Sequence, residues 1–406
     1  MAFIVQKFGG TSVANIERIQ NVARRVKASA DAGDRIAVVV SAMSGVTDQL
    51  VRWVREVSPQ YDAKEYDTVV ATGEQVTVGL VALALQELGL KSRSYLGWQV
   101  PVRTDGAHSK ARIEGIDGAE IKALMAEGVI PVMAGFQGIG PDRRVTTLGR
   151  GGSDTSAVAL AAAINADRCD IYTDVDGVYT TDPRIVAKAR KLAKITYEEM
   201  LEMASLGAKV LQTRSVELGM KHRVPVQVLS SFSDAPGTLV VDEDVIVEQE
   251  IVSGIAYNRD EAKVTLIGVP DRPGVAASVF GPLAEANINV DMIVQNVSHD
   301  GKLTDMTFTV ARPDLQRAID TLEQVKSTLK FERILADSNV SKISVIGVGM
   351  RSHAGVANTM FKALAEKGIN IQVISTSEIK ISVLIAEDYT ELAVRALHSA
   401  YGLDSD

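Results

Sequence analysis

A chain of 406 residues, 46% of them apolar, is long enough for two or three domains and can pack a core in each. A formal charge of -8 with dispersed basic residues excludes a nucleic-acid surface, and the single cysteine, Cys169, excludes an intrachain disulfide. No charged and apolar leader or bilayer-length apolar run stands out, which predicts no membrane partner and a reducing, cytoplasmic compartment.

In chain order, short Val- and Ile-rich runs at Phe3–Phe8, Arg35–Ser41, Val129–Gly135, Cys169–Thr173 and Val224–Leu229 read as buried strands. Between them lie helical stretches such as Ile16–Ala28, with Ile16, Ile19, Ala23 and Val26 on one face, and Thr155–Ala166. This alternation predicts an α/β domain over residues 1–245, a mostly parallel sheet covered by helices on both faces.

Beyond residue 240 an internal repeat appears. "IGVPDRPGVAASVFGPLAEANINVDMI" (267–293) returns as "IGVGMRSHAGVANTMFKALAEKGINIQVI" (346–374), at an offset of 81 residues from Gly274 to Gly355. The first copy completes a βαββαβ unit through Thr304–Ala311, Pro313–Thr328 and Phe331–Ala336. The second has Lys380–Ile385 and Thr390–Ala400 but lacks its fourth strand, and "EIVSGIAY" (250–257) is predicted to fill that gap. The first unit (263–336) would then be inserted in the second (250–262 and 337–406). "VDEDVIVEQE" before them reads as a linker or as an edge strand, and Pro282 is expected to kink its helix or end the regular hydrogen bonding.

Three clusters carry chemistry. In "KFGGTSV" (7–13) a strand ends in Gly9 and Gly10 before a helix, offering free N–H groups and a dipole end to an anion beside Lys7. A tight turn with Ser12 as N-cap and Lys7 solvated accounts for the same residues. In "GRGGSD" (149–154) the glycines allow close backbone approach, Ser153 or Asp154 would cap the next helix, and Arg150 offers a fork for carboxylate or phosphate. In "YTDVDGVYTTDPR" (172–184), at a strand's carboxyl end, Asp174, Asp176 and Asp182 are candidates for magnesium or hydroxyl groups, with at least one expected to be structural. Tyr179 can stack on a base and Arg184 can reach phosphate. A P-loop, a protein-kinase motif set and a dinucleotide fingerprint are all missing, and His108, His222, His299, His353 and His398 form no metal-spaced pair.

Together the three motifs and the paired repeats resemble the aspartate kinases of the amino acid kinase superfamily, over the whole chain, and the repeats resemble amino-acid-binding ACT domains. The resemblance implies ATP-dependent phosphorylation of the L-aspartate β-carboxylate to 4-phospho-L-aspartate, the first step toward lysine, threonine and methionine. It implies that Lys7 contacts the ATP phosphates, with Gly9 and Gly10 beside it, and that Asp154 lies near phosphates and Mg²⁺, which is held mainly through ATP. Ser41, Thr47, Glu74, Arg150 and Ser153 would surround aspartate, while Thr173, Asp174, Tyr179, Arg184 and Lys209 would hold nucleotide.

A bound amino acid needs a carboxylate for its ammonium and a guanidinium for its α-carboxylate, roles that suit Glu74 and Arg150. Glu74 argues against a kinase of N-acylated amino acids, and the joint presence of Lys7, Arg150, Asp154 and Asp174 against a sensor without catalysis. Feedback inhibition by lysine, threonine or both is implied through "PDRPGVAA". There Asp271 can face an ammonium, the backbone at Gly274, Val275 and Ala276 can hold a carboxylate, and Gln295, Asn296 and Asn370 would complete the pocket. "MRSHAG" in the second copy lacks that aspartate, so the second repeat is expected to serve assembly, as a homodimer or with a regulatory subunit made of repeats alone.

Overall fold

The computed structural model describes residues 1–206, 210–246, 250–297 and 301–404. Two compact units interleave along the chain: Met1–Val178, Lys191–Ser205 and the described part of 209–248 form the first, and Tyr179–Arg190, Leu206 and the described part of 249–406 the second.

The first unit is built on an eight-stranded sheet. Phe3–Phe8 lies at its centre, parallel to Arg35–Val40 on one side and to Arg168–Thr173 on the other. Outward run Ile130–Ala134 and Ser92–Tyr95 in one direction, and Val226–Ser230, Thr238–Val241 and Lys194–Thr196 in the other. Only the pairing of Val226–Ser230 with Thr238–Val241 is antiparallel, so the sheet is mostly parallel, with crossover helices on its faces. Central strands buried on both faces require continuous apolar runs, and "RIAVVV" supplies one. Helix Ile16–Asp31 covers one face through Ile19, Val22, Ala23 and Val26, packed with Val78, Val81 and Leu85 of helix Thr72–Glu87. A separate four-stranded sheet of three- and four-residue strands (Val102–Thr104, Ile113–Ile116, Gln137–Ile139, Val145–Thr147) leads into the glycine-rich loop at Gly149.

Ala63–Glu87, a helical stretch broken only by a turn residue at Ala71, corrects the expectation that no apolar run has bilayer-spanning length. By length and composition it would span, but half of its most apolar window is buried inside the protein, as befits a core helix.

In the second unit a six-stranded antiparallel sheet joins the repeats through two long strands, Gly254–Pro270 and Arg333–Ile346. Lys263–Ile267 pairs with Arg333–Asp337 in the first repeat, while Gly254–Asn258 pairs with Lys342–Ile346 and so supplies the missing strand of the second. The helix bearing Pro282 runs on to Glu285, with Ala286 N donating to the Pro282 carbonyl. The helix therefore continues three residues past the proline, although Pro282 has no N–H to donate to the Ser278 carbonyl. In the linker, Glu243–Val245 form a short 3₁₀ turn, and residues 247–249 lie outside the described residues.

The Tyr179–Arg190 excursion is part of this second unit. Val186 packs in the core with Met350, Val356 and Met360, Ile255 N donates to Thr180 O at 2.7 Å, and Arg190 Nε donates to Leu403 O at 3.1 Å. Thr180 Oγ1 lies 2.9 Å from Nε2 of the buried His398.

Candidate active site

Parallel pairing brings the carboxyl ends of the three central strands together, and the chain turns sharply after each. After Phe8 the chain enters one 3₁₀ turn, Gly10–Val13, before the helix. A Cβ on Gly10 would lie 3.0 Å from Ala42 O, and one on Gly9 would lie 3.3 Å from Lys7 Nζ, so the lysine arches over this turn. Ser12 is not the N-cap: its hydroxyl lies 2.5 Å from Ser231 Oγ in the interior, and Asn15 caps the helix by accepting from Arg18 N. The cap geometry falls to Asn15 because the intervening 3₁₀ turn moves the helix start downstream.

Lys7 Nζ lies 2.5 Å from Asp154 Oδ1. Asp154 is in the first turn of helix Gly152–Ile164, whose N-cap is Gly151 in the left-handed region at φ 71°. Ser153 and Asp154 therefore lie inside the helix and do not cap it, which leaves the Asp154 carboxylate to the lysine. A Cβ on Gly151 would fall 1.8 Å from Gln212 Cγ, so the loop can pass Gln212 only with glycine there.

These elements enclose a cavity of about 320 Å³. The structure brings Lys7, Gly10, Ser41, Thr47, Glu74, Arg150, Ser153 and Asp154 to its wall, with every residue expected around aspartate among them. Ser41 and Thr47 flank the turn after the Arg35–Val40 strand, and Arg150 is exposed. Glu74, 3% exposed in the first turn of Thr72–Glu87, accepts from Ala42 N at 2.9 Å through Oε1, while Oε2 has no hydrogen-bond partner among the described residues. Burial pushes its carboxyl group up to about 7, against the opposing pull of the Ala42 amide. A buried acid with one unsatisfied oxygen in the wall of a cavity is suited to receive a cation.

Sequence reasoning missed Phe136 and Gln212 at this wall. Phe136 has φ 68°, uncommon outside glycine, and its N donates to Ser156 Oγ at 3.1 Å while Leu148 N donates to its carbonyl. The sole signal for Phe136 was its place in "GFQG" after a strand, and "LQTR" carried none for Gln212.

Thr173 and Asp174 stand at the carboxyl end of the strand beside the Lys7 strand, with Thr173 Oγ1 donating to Asp174 Oδ1 at 3.2 Å and Ser231 N donating to Thr173 O. Tyr179 and Arg184 belong to the second unit, and Lys209 lies outside the described residues. Two of the three motif aspartates have structural partners: Asp176 accepts from Lys191 at 3.1 Å, and Asp182 accepts from Arg184 at 2.8 Å and from Tyr257 Oη at 3.1 Å. Among the described residues no three His, Cys, Asp or Glu side chains converge as a metal site.

In the first repeat Gly274, at φ 88°, is the N-cap of helix Val275–Glu285, which also contains Ala276. Gln295 Nε2 approaches Asp271 Oδ1 at 3.5 Å, so these two residues meet, and Asn296 follows on the same exposed strand. Asn370 is exposed in the turn before Val373–Thr376, and among the described contacts none links it to Asp271 or Gln295.

A glycine-rich turn beside Lys7 and a cavity at the strand ends of a mostly parallel sheet suit a small-molecule kinase, and the model of the amino acid kinase family matches residues 2–230. ACT domain models match 263–327 and 343–401. An aspartate kinase of Stutzerimonas stutzeri is 58% identical over 406 residues, covering 100% of this chain and 98% of that protein. An aspartokinase of Mycolicibacterium smegmatis is 51% identical, covering 100% of this chain and 97% of that protein. Among solved structures, Escherichia coli aspartokinase III in complex with aspartate and ADP is 28% identical and matches with a TM-score of 0.81, over 98% of this chain and 99% of that one. The chain belongs to the amino acid kinase family and, within it, to the aspartate kinases, phosphotransferases with a carboxyl group as acceptor.

Proposed function

We propose that the first unit transfers the γ-phosphoryl group of ATP to the β-carboxylate of L-aspartate, giving 4-phospho-L-aspartate and ADP. The observation that carries this reading is the convergence of Lys7, Glu74, Arg150 and Asp154 on one cavity. It is supported by the likeness to the E. coli enzyme, whose structure holds aspartate and ADP.

Glu74 takes the substrate ammonium on its unpartnered oxygen and Arg150 the α-carboxylate, with Ser41, Thr47 and Ser153 as hydroxyl partners. The β-carboxylate, with a reference pKa of about 3.9, is already ionised and needs no general base. One of its oxygens forms the new bond to the γ-phosphorus as the bond to the bridging β,γ-oxygen breaks, and that electron pair leaves on ADP. Catalysis is then alignment and neutralisation of charge, through Lys7 and the N–H groups at Gly9 and Gly10. Asp154 holds the Lys7 ammonium in place. Thr173, Asp174, Tyr179, Arg184 and Lys209 are assigned to the nucleotide. Mg²⁺ is assigned to the nucleotide phosphates, where it would offset their charge.

Residues 1–245 are assigned to catalysis, 263–336 to a first regulatory repeat, and 250–262 with 337–406 to a second. The meeting of Asp271 and Gln295 supports an amino-acid effector pocket in the first repeat, with Gly274, Val275, Ala276, Asn296 and Asn370 as further contacts. Inhibition by lysine, threonine or both is the corresponding regulation of a cytoplasmic enzyme heading their synthesis and that of methionine. Lysine accompanies aspartate in a second structure of the E. coli enzyme, 28% identical with a TM-score of 0.76. The exposed edge strand Val290–Val297 supports assembly through the repeats, as a homodimer or with a subunit built of repeats alone.

Hydroxylamine trapping of the acyl phosphate with Mg·ATP and L-aspartate tests the reaction, and adding lysine and threonine singly and together tests the regulation. Aspartate-dependent hydroxamate is expected; nucleotide binding without any hydroxamate would overturn the assignment.

A further inference from the structure

Outside the cavity, one buried carboxylate that the proposed reaction leaves unexplained is Asp67. It is fully buried on helix Ala63–Val70, and its side-chain hydrogen bonds go to two segments, the turn at His108 and Ser109 and the strand end at Thr147, which leads into the glycine-rich loop. Its Oδ1 accepts from Thr147 Oγ1 at 2.5 Å, both oxygens accept from Ser109 N at 3.0 Å, and Oδ2 lies 2.8 Å from His108 Nδ1.

Each of these partners bears on the loop. Thr147 is the last residue of Val145–Thr147, immediately before Leu148 and Gly149. Ser109 holds a left-handed φ of 64°, and its carbonyl would lie 3.1 Å from a Cβ on Gly149, so the 108–111 turn abuts the loop directly. From the other side Arg214 donates to Leu148 O at 2.6 Å and to Ala111 O at 3.0 Å, binding turn and loop together. Asp67 is also about two turns upstream of Glu74 on the nearly continuous Ala63–Glu87 stretch. Gln137 Nε2 donates to the Ala71 carbonyl between them at 2.9 Å.

We propose that Asp67, acting through Thr147, Ser109 and His108, is a positioning residue that fixes Arg150 relative to Glu74 and so sets the span between the carboxylate and ammonium sites. This rests on the reading of Arg150 and Glu74 as the partners of aspartate. A buried carboxyl that served the fold alone would cost stability and active fraction when altered. One that sets the span weakens aspartate binding in the molecules that are folded, and leaves nucleotide binding alone.

The test is steady-state kinetics of the full-length protein carrying Asp67→Asn, Thr147→Val, Thr147→Ser or Arg150→Lys, with melting temperatures for each. Asp67→Asn and Thr147→Val should raise the KM for aspartate about ten- to hundredfold with the KM for ATP within about twofold. Thr147→Ser, which keeps the hydroxyl, should restore a near-normal value. If Asp67→Asn does not fold, Thr147→Val, which removes a single hydrogen bond, decides. A raised aspartate KM in Arg150→Lys, with only kcat or stability changed in Asp67→Asn and Thr147→Val, would overturn the positioning role alone. An unchanged aspartate KM in Arg150→Lys would overturn the substrate reading and the proposal with it.

Discussion

Lys7 Nζ and Asp154 Oδ1 stand 2.5 Å apart, and their side chains are only 10% and 11% exposed. A pair so shielded from water holds its charges in fixed positions, which suits an ammonium that must meet developing phosphoryl charge without reorganising. Lys7→Ala should lower kcat by about two to three orders of magnitude while leaving the KM for aspartate within a few-fold. Because it strands Asp154, it should also cost about 3–5 kcal/mol of stability, and Lys7→Ala with Asp154→Asn should recover part of that in the melting temperature but none of the activity. Equal losses in kcat and aspartate affinity would argue against the assigned role.

Glu74 gives the reaction a pH dependence with a definite sign. Its carboxyl group titrates near 7 when buried, against 4.5 in the open chain, and it must be ionised to receive an ammonium. The KM for aspartate should therefore fall about tenfold per pH unit up to pH 7 and level off above it. Since the folded pKa is raised, the stability linked to the protonated form is full below 4.5 and is lost as pH rises through 7. The ionised form costs about 3 kcal/mol at pH 8. Glu74→Gln should thus weaken aspartate binding, flatten the pH profile and raise the melting temperature at pH 8. A pH-independent KM in the unaltered protein would sink the idea.

Glycine spacing made the strand-end turns legible because a backbone that must approach a ligand or another strand leaves little or no room for a Cβ, and Gly10 and Gly151 are such positions. The buried central strands were legible from their apolar runs, and the place of Gly254–Tyr257 beside the second repeat from the strand that repeat lacked, whereas the continuation of each long strand through both repeats was not. The three- and four-residue strands of the small sheet were not, since they are too short to establish a period. Glu74 was recognised only by resemblance: nothing in "ATGEQ" tells a buried acid from a solvated one on a helix. Asp67 had no signal at all, because its partners lie 41 and 80 residues away in sequence. Nor does any local pattern say that "YTTDPR" packs with the second unit, a choice made by Val186 finding Met350 and Val356.

Gly151 sets a steric limit that can be tested directly. Gly151→Ala would place a Cβ 1.8 Å from Gln212 Cγ and force alanine into left-handed φ, a strain of about 1–2 kcal/mol before any clash. The loop carrying Arg150 must shift, so kcat/KM for aspartate should fall by about a hundredfold. Adding Gln212→Gly removes the clash but not the strain, and should return part of the activity. No recovery in the double variant would mean that Gln212 itself contributes to the site.

Lys342 joins three strands of the second unit: it is 4% exposed, with Glu261 Oε1 and Asp291 Oδ2 each 2.7 Å from Nζ. Burial alone would lower its pKa, yet the two carboxylates hold it above the ordinary lysine value. Lys342→Met leaves Glu261 buried without its cation and should cost about 3–5 kcal/mol, seen as earlier urea unfolding of this unit. Lys342→Met with Glu261→Gln should recover much of it. Equal midpoints for the single variant and the unaltered protein would show the triad to be energetically neutral.

Asp271 is the sharpest test of the regulatory reading. It meets Gln295 beside the left-handed Gly274, whose helix presents free N–H groups, an arrangement suited to a ligand with an ammonium at one end and a carboxylate at the other. Regulation requires that the effector bind two global states with different affinity, so removing its ammonium partner should weaken inhibition without altering the basal rate. Asp271→Ala should shift the lysine or threonine concentration for half-inhibition upward by about a hundredfold, as expected for a charge-assisted contact. The corresponding residue of the second repeat, where "MRSHAG" replaces the aspartate-bearing turn, supplies the control: Ser352→Ala should leave inhibition unchanged. Retained sensitivity in Asp271→Ala with lost sensitivity in Ser352→Ala would move the effector site to the second repeat.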